Sequence, residues 1–234
     1  MQFEEACRAS EAVLCCKIQK LLHVARRERS LFENFYDLLS LRFTANGKEE
    51  PVDWNVARPS AEIAILGSER HYYRLHYAAL TLEEAGLPHY GDCDVLLREN
   101  MVSHRISTFE ENSAVYYERS KGDIPAGFRS GWIERSKLCV SKLASRIGPT
   151  TSPADYQLLL LKSALSSVDD EFVELHVFDA MTFHTFRKIR WRRKSRGRGG
   201  SPARPNLPKS PDAQMRVMQK YCELTGVKLE IIPV

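Results

Sequence analysis

Residues 172–178, Phe-Val-Glu-Leu-His-Val-Phe, read as a β-strand: they are apolar and β-branched, with polar groups two positions apart. On a strand, Glu174 and His176 share one face and Val173 and Leu175 take the other. A carboxylate set among Phe, Val and Leu loses water on folding, so Glu174 needs a partner or a purpose. Further strands are expected at residues 92–98 (DCDVLLR), 105–109 (RISTF) and 227–234 (VKLEIIPV). Residues 70–77 (RHYYRLHY) fit either a strand or a first helical turn.

Helices are expected at 132–147, at 155–166 behind Ser152-Pro153, and at 213–224 ending at Gly226. TLEEAG (81–86) reads as a helix end stopped by Gly86. Phe3, Cys7, Ser10, Leu14, Ile18, Leu21 and Ala25 follow helical spacing, and Ser30 with Glu33 forms a capping-box pattern before Phe35. Residues 2–43 are therefore expected to be two amphipathic helices, their stripe covered by the chain itself, another protein or a second copy. Pro51 and Pro59 mark 44–60 as a linker. The fold class is α+β: an N-terminal helical region (1–43) on a mixed-sheet domain (61–234), interrupted by a basic flexible loop at 187–211.

That loop dominates the charge. Residues 187–209 hold ten Lys/Arg, and no Asp or Glu occurs between Asp179 and Asp212. Without those ten, 24 basic residues face 30 acidic ones, so the overall +4 conceals a polarised molecule. Unpaired cations are too costly to bury, so the run is expected to stay in water or lie on an anionic surface, most commonly nucleic acid. Arg187, Lys188, Arg190, Trp191, Arg192, Arg193, Lys194, Arg196 and Arg198 are the candidate RNA or DNA contacts, with Trp191 available to stack on a base.

The six cysteines form no CxxC or Cys/His metal spacing, so reduced thiols and no metal are expected. The first residues, MQFEEACRAS, lack the basic start and apolar stretch of a signal peptide, and no apolar run is long enough to span a membrane. A cytoplasmic protein is the expectation. GxGxxG, GxxxxGK[ST], GxSxG, HExxH and HxE…CxxC patterns are all missing, which removes most familiar enzyme classes.

Three segments remain: His71 to His76, Arg105 to Ser113, and Glu171 to His176. A basic residue, a Ser-Thr pair and a late glutamate, in that order, resemble the ADP-ribosyltransferase-like fold over residues 70–180. The resemblance implies NAD as substrate and a toxin or effector type of enzyme acting on or near nucleic acid. By the same resemblance Arg74 or His76 holds the ribose or phosphates, and Ser107 and Thr108 brace the glutamate and the nicotinamide side. Glu174 meets the nicotinamide ribose, and Tyr72, Tyr73 and Tyr90 stack the nicotinamide. The chain lacks the Glu-x-Glu pair, since Glu171 lies three positions before Glu174, and the Ser-Thr-Ser form stops at Phe109.

Two other readings stand beside it. One is a non-catalytic nucleic-acid-binding module working through 187–209. The other is a metal-independent ribonuclease using His104-Arg105 with Glu174 or His176 as acid, base and phosphate cation. Arg74 and Glu174 also fit a plain structural ion pair.

Overall fold

The segment Glu11–Cys16 forms strand β1, in the middle of the sheet rather than inside a helix. A computed structural model describes residues 2–26, 31–37, 53–67, 72–167, 169–193, 208 and 210–233, with Arg26, 53–57 and Tyr72 by backbone alone. Helices α1 (Gln2–Arg8) and α2 (Ile18–Arg26) flank β1. The predicted N-terminal helical pair is thus interrupted, and its second helix beyond Asp37, with Ser30, lies outside the described residues. The physical reason is burial on both faces: Ala12, Val13, Leu14 and Cys16 are all in the core, so the strand shows no polar alternation to betray it. The turn after Phe32 carries a reciprocal cap, in which Asn34 N donates to Asp37 Oδ2 (2.8 Å) and Asp37 N to Asn34 Oδ1 (2.9 Å).

Strands β2 (Leu75–Thr81), β3 (Cys93–Leu97), β4 (Ile106–Phe109) and β5 (Arg129–Gly131) follow. A two-stranded sheet joins β6 (Leu161–Lys162) to β7 (Glu171–Phe172). Then come β8 (Glu174–Phe178), β9 (Phe186–Arg193) and β10 (Lys228–Pro233). The main sheet runs β10-β9-β3-β1-β2-β8-β4-β5. Its pairs are antiparallel except β9 with β10. Of the segment 70–77, residues 72–77 form a 3₁₀ turn, Tyr72–Arg74, running into β2; 70 and 71 lie outside the described residues.

The other helices are α3 (Asp53–Leu66), α4 (Glu99–Val102), α5 (Ser113–Arg119), α6 (Arg135–Leu143), α7 (Tyr156–Leu160) and α8 (Pro211–Thr225). The expected linker is helical from Asp53, with Pro59 inside it; burial of Ala61 and Ile65 overrides the proline's lost hydrogen bond. Residues 44–52 lie outside the described residues. TLEEAG is the end of β2 and a turn, not a helix end: Gly86 lies where a Cβ would sit 2.1 Å from Cys15 Sγ. The helix expected over 155–166 stops at Leu160 because β6 pairs with β7. Residues 213–224 fall in α8 as expected, with Gly226 as its left-handed cap.

One sheet face carries the main core. Ala12, Leu14, Ala78, Leu80, Val95, Leu175, Val177, Ile189 and Trp191 meet Phe3, Leu21, Leu22, Cys139, Leu143, Met218 and Cys222 from α1, α2, α6 and α8. Residues 2–26 and the later strands therefore share this core. The opposite face divides into an apolar centre (Val13, Ala79, Leu96), an aromatic end under α3 and α5 (Phe109, Phe128, Ile65) and a charged end on β9 and β10.

His76 faces the main core, 5.9 Å from the Phe32 ring. Burial, helped by Lys20 and Arg105, pushes its pKa down from 6.5 to about 3. The unfolded chain therefore binds a proton that the folded chain refuses. This contribution is complete above pH 6.5 and is lost as pH falls toward about 3. His76→Leu is expected to remove roughly 3–5 kcal/mol of acid sensitivity and shift the acid-unfolding midpoint downward. An unchanged acid midpoint in a circular-dichroism titration contradicts this.

Candidate functional site

Register places Glu174 opposite Ala79 on β2 and Phe109 on β4, and His176 opposite Tyr77 and Ser107. All share the face that α3 and α5 cover. The side chains of Glu174 and His176 are each 1% exposed. Helix α5 begins behind Asn112, whose Oδ1 accepts from Ala114 N (3.1 Å) and Val115 N (3.3 Å). The first helical N–H, that of Ser113, is left for another acceptor and donates to Glu174 Oε2 at 2.7 Å. His176 Nε2 lies 3.2 Å from the same oxygen and 3.1 Å from Ser113 Oγ.

Burial pushes the Glu174 carboxyl up, but His176, Arg58 and the Ser113 side chain outweigh it and hold the carboxyl below its ordinary range. Glu174 is thus an ionised carboxylate in a dry setting. A serine nucleophile is not assembled here: its acid partner should hold the far ring nitrogen of the base. Here Ser113 and Glu174 crowd one nitrogen, and His176 Nδ1 has no hydrogen-bond partner among the described residues.

Helix α3 closes the site. The Arg58 guanidinium lies 4.2 Å above the Tyr77 ring and 5.6 Å from that of Phe35. One turn later Glu62 accepts from the Tyr36 hydroxyl and stands 4.0 Å from Arg58 Nη1. Burial lifts the Glu62 carboxyl from 4.5 to about 8, against Tyr36 and Arg58, and the nearby Glu174 charge adds to the rise. Beside His176 Nδ1, Glu62 Oε1 and the Tyr77 hydroxyl are also buried and without hydrogen-bond partners among the described residues. Such atoms each cost about 1–3 kcal/mol. Their gathering on one face is what a polar ligand would relieve.

The other predicted residues scatter. Ser107 stands on the Glu174 face, while Thr108 and His76 point to the opposite one. Arg74 ends the 3₁₀ turn, five residues before Ala79, so it sits about 15 Å along the strand from Glu174. It lies 3.7 Å from Asp179, so neither the phosphate-holding role nor the ion pair with Glu174 is assembled. Arg58 instead lies within electrostatic range of Glu174. Tyr90 is exposed in the 3₁₀ turn Pro88–Tyr90, within electrostatic range of Asp170, Arg58 and Glu174. Arg105 donates to Ala180 O (3.0 Å) and Met101 O (3.2 Å), so it clamps backbone, while His104 is exposed. Arg58, Glu62, Tyr36 and Ser113 were missed as site residues. Only Ser113 had a signal, the Asn-Ser start of a helix.

Over residues 187–193 the basic run is strand β9 rather than a flexible loop, and there the anionic surface it meets is the protein's own. Arg187 Nη2 lies 2.7 Å from Glu11 and 2.9 Å from Glu84. Lys188 pairs with Glu84 and, at 2.6 Å, with Glu230. Arg190 lies 3.5 Å from Glu230, Arg192 pairs with buried Asp94, and Arg193 lies 2.7 Å from Asp212. Trp191 is buried in the main core, which removes it as a stacking platform. Lys194, Arg196 and Arg198 lie outside the described residues. Arg192→Ala leaves Asp94 buried without its cation, and a loss of roughly 3 kcal/mol is expected in urea unfolding. A loss under 1 kcal/mol would show the pair to be dispensable.

Among the described residues no group of three or more His, Cys, Asp or Glu is arranged to hold a metal, and no helix is long and apolar enough to cross a membrane. A surface cavity of about 190 Å³ lies elsewhere, between Ser10, Glu99, Trp132 and Arg135. Arg135 there is engaged by Trp132 O (3.0 Å) and Ser10 O (3.3 Å). No protein-family model matches the chain, and no curated protein matches it.

Proposed function

We propose that the chain is an ADP-ribosyltransferase-like enzyme that breaks the nicotinamide–ribose bond of NAD at Glu174. The observation that carries this reading is an ionised carboxylate held in a dry site by a helix-start N–H and His176. Breaking a glycosidic bond builds positive charge on the ribose, and a preplaced carboxylate lowers that barrier more in a dry site than in water. The partnerless Tyr77 hydroxyl and His176 Nδ1 suit the hydroxyls of a ribose.

Arg58, 14% exposed, packs on the Tyr77 ring, and in this reading the substrate enters when its guanidinium swings off that ring. The same guanidinium is then free to meet a phosphate. The ion pairs of β9 leave the nucleic-acid-binding alternative resting on residues 194–209.

Binding is tested by thermal unfolding with increasing NAD. The midpoint is expected to rise with log concentration, and to rise less in Arg58→Ala. A midpoint indifferent to millimolar NAD contradicts the reading.

A further inference from the structure

We propose that Glu62 is the second catalytic carboxyl of this site, the group that takes the acceptor's proton as the new bond to the ribose forms. The proposal rests on the glycosidic reading above and goes beyond it by dividing the chemistry between two carboxyls. Transfer requires two different services. One is negative charge beside the ribose carbon while the bond to nicotinamide breaks. The other is a base for the proton of the incoming group. The geometry of Glu174 suits the first, since Oε2 already accepts from Ser113 N and lies against His176.

Glu62 suits the second. Its side chain is 1% exposed, Tyr36 holds Oε2, and Oε1 is buried 4.0 Å from Arg58 Nη1 with no hydrogen-bond partner among the described residues. A carboxyl with one oxygen anchored and the other facing only a guanidinium at ion-pair distance is placed to exchange a proton with a ligand once that guanidinium moves. Glu62 and Glu174 lie within each other's electrostatic range and share Arg58. Movement of Arg58 off Tyr77 uncovers Glu62 Oε1, within electrostatic range of Glu174.

The step balances without an oxidant or metal. The bond from ribose C1′ to the nicotinamide nitrogen breaks, and its electron pair cancels the pyridinium charge. A lone pair of the acceptor heteroatom closes on C1′. The acceptor's proton passes to the Glu62 carboxylate and then to solvent.

The groups facing Glu62 are Arg58 on its own helix, Tyr36, Tyr77 on β2, and Glu174 and His176 on β8. Arg129 on β5 approaches the end of α3 through Ile65 O, and α5 brings Tyr116 and Arg119. Burial leads this set and holds the carboxyl at about 8, where base strength and ionised fraction are both useful near neutral pH.

The test uses the whole chain with NAD and water as acceptor, measuring nicotinamide release across neutral and alkaline pH. Wild-type kcat is expected to rise with pH through a limb near 8. Glu62→Gln is expected to lower kcat about 100-fold, abolish the limb and leave KM for NAD nearly unchanged, while Glu62→Asp restores part of the rate. Both variants are first checked for wild-type circular dichroism; if Glu62→Gln does not fold, the limb in Glu62→Asp decides. Unchanged kcat with an intact limb in a folded Glu62 variant overturns the proposal and leaves the Glu174 reading standing. A wild type that releases no nicotinamide at any pH overturns the reading, and this proposal with it.

Discussion

Glu174→Gln is expected to lower kcat for nicotinamide release about 1,000-fold while the protein stays folded and binds NAD almost as before. Glutamine is nearly isosteric, and its carbonyl can accept the 2.7 Å hydrogen bond from Ser113 N. What it removes is the full negative charge, held here at low dielectric with the side chain 1% exposed. A charge that matters only when the ribose becomes positive changes kcat far more than KM. Loss of about 4 kcal/mol of transition-state stabilisation corresponds to the predicted factor. A parallel rise in KM with kcat unchanged in steady-state kinetics would instead make Glu174 a binding group.

Gly91→Ala is expected to be the most damaging single-methyl change in the fold, costing roughly 4 kcal/mol and lowering Tm by about 10 °C. A Cβ at that position would lie 2.1 Å from the carbonyl carbon of Cys16 and 2.2 Å from its oxygen, both backbone atoms that cannot rotate away. Relief must come from moving the loop after Pro88–Tyr90, and that loop is tied to both β9 and α2. Gly91 O accepts from Arg192 at 2.7 Å, and Asp92 Oδ1 accepts from Ile18 N, also at 2.7 Å, capping α2. Gly131→Ala is the control, because nothing lies within 4 Å of its Cβ position and its effect should stay within about 0.5 kcal/mol. Equal melting temperatures for the two variants in calorimetry contradict the close approach at Gly91.

The strands over 93–97, 106–109, 174–178 and 228–233 and helix α8 were legible because alternation, a proline start and a glycine stop are local signals. Strand β1 was not: Glu11–Cys16 is apolar on both faces and happens to continue the spacing of the helices beside it. Helix α3 was hidden by Pro59, whose penalty is local while the burial that offsets it is not. Arg187 to Arg193 read as a nucleic-acid segment because charge counting along the chain cannot see Glu11, Glu84, Asp94 or Glu230 arriving from other strands and turns. Glu174 stood out for a reason that survives folding, since a carboxylate among Phe, Val and Leu must be compensated. Its compensating groups were illegible. Arg58 and Glu62 come from a segment that reads as a linker or a bare apolar run, and Ser113 acts through its backbone N–H.

The most direct measurement of the central claim is incubation of the wild-type chain with NAD, with nicotinamide and ADP-ribose products quantified by chromatography over time. The account predicts that nicotinamide accumulates in proportion to enzyme, with one ADP-ribose, free or transferred, for each nicotinamide released. Folded wild-type protein that leaves NAD intact over prolonged incubation would contradict it, and Glu174 would then be a structural carboxylate that fixes α5 to β8.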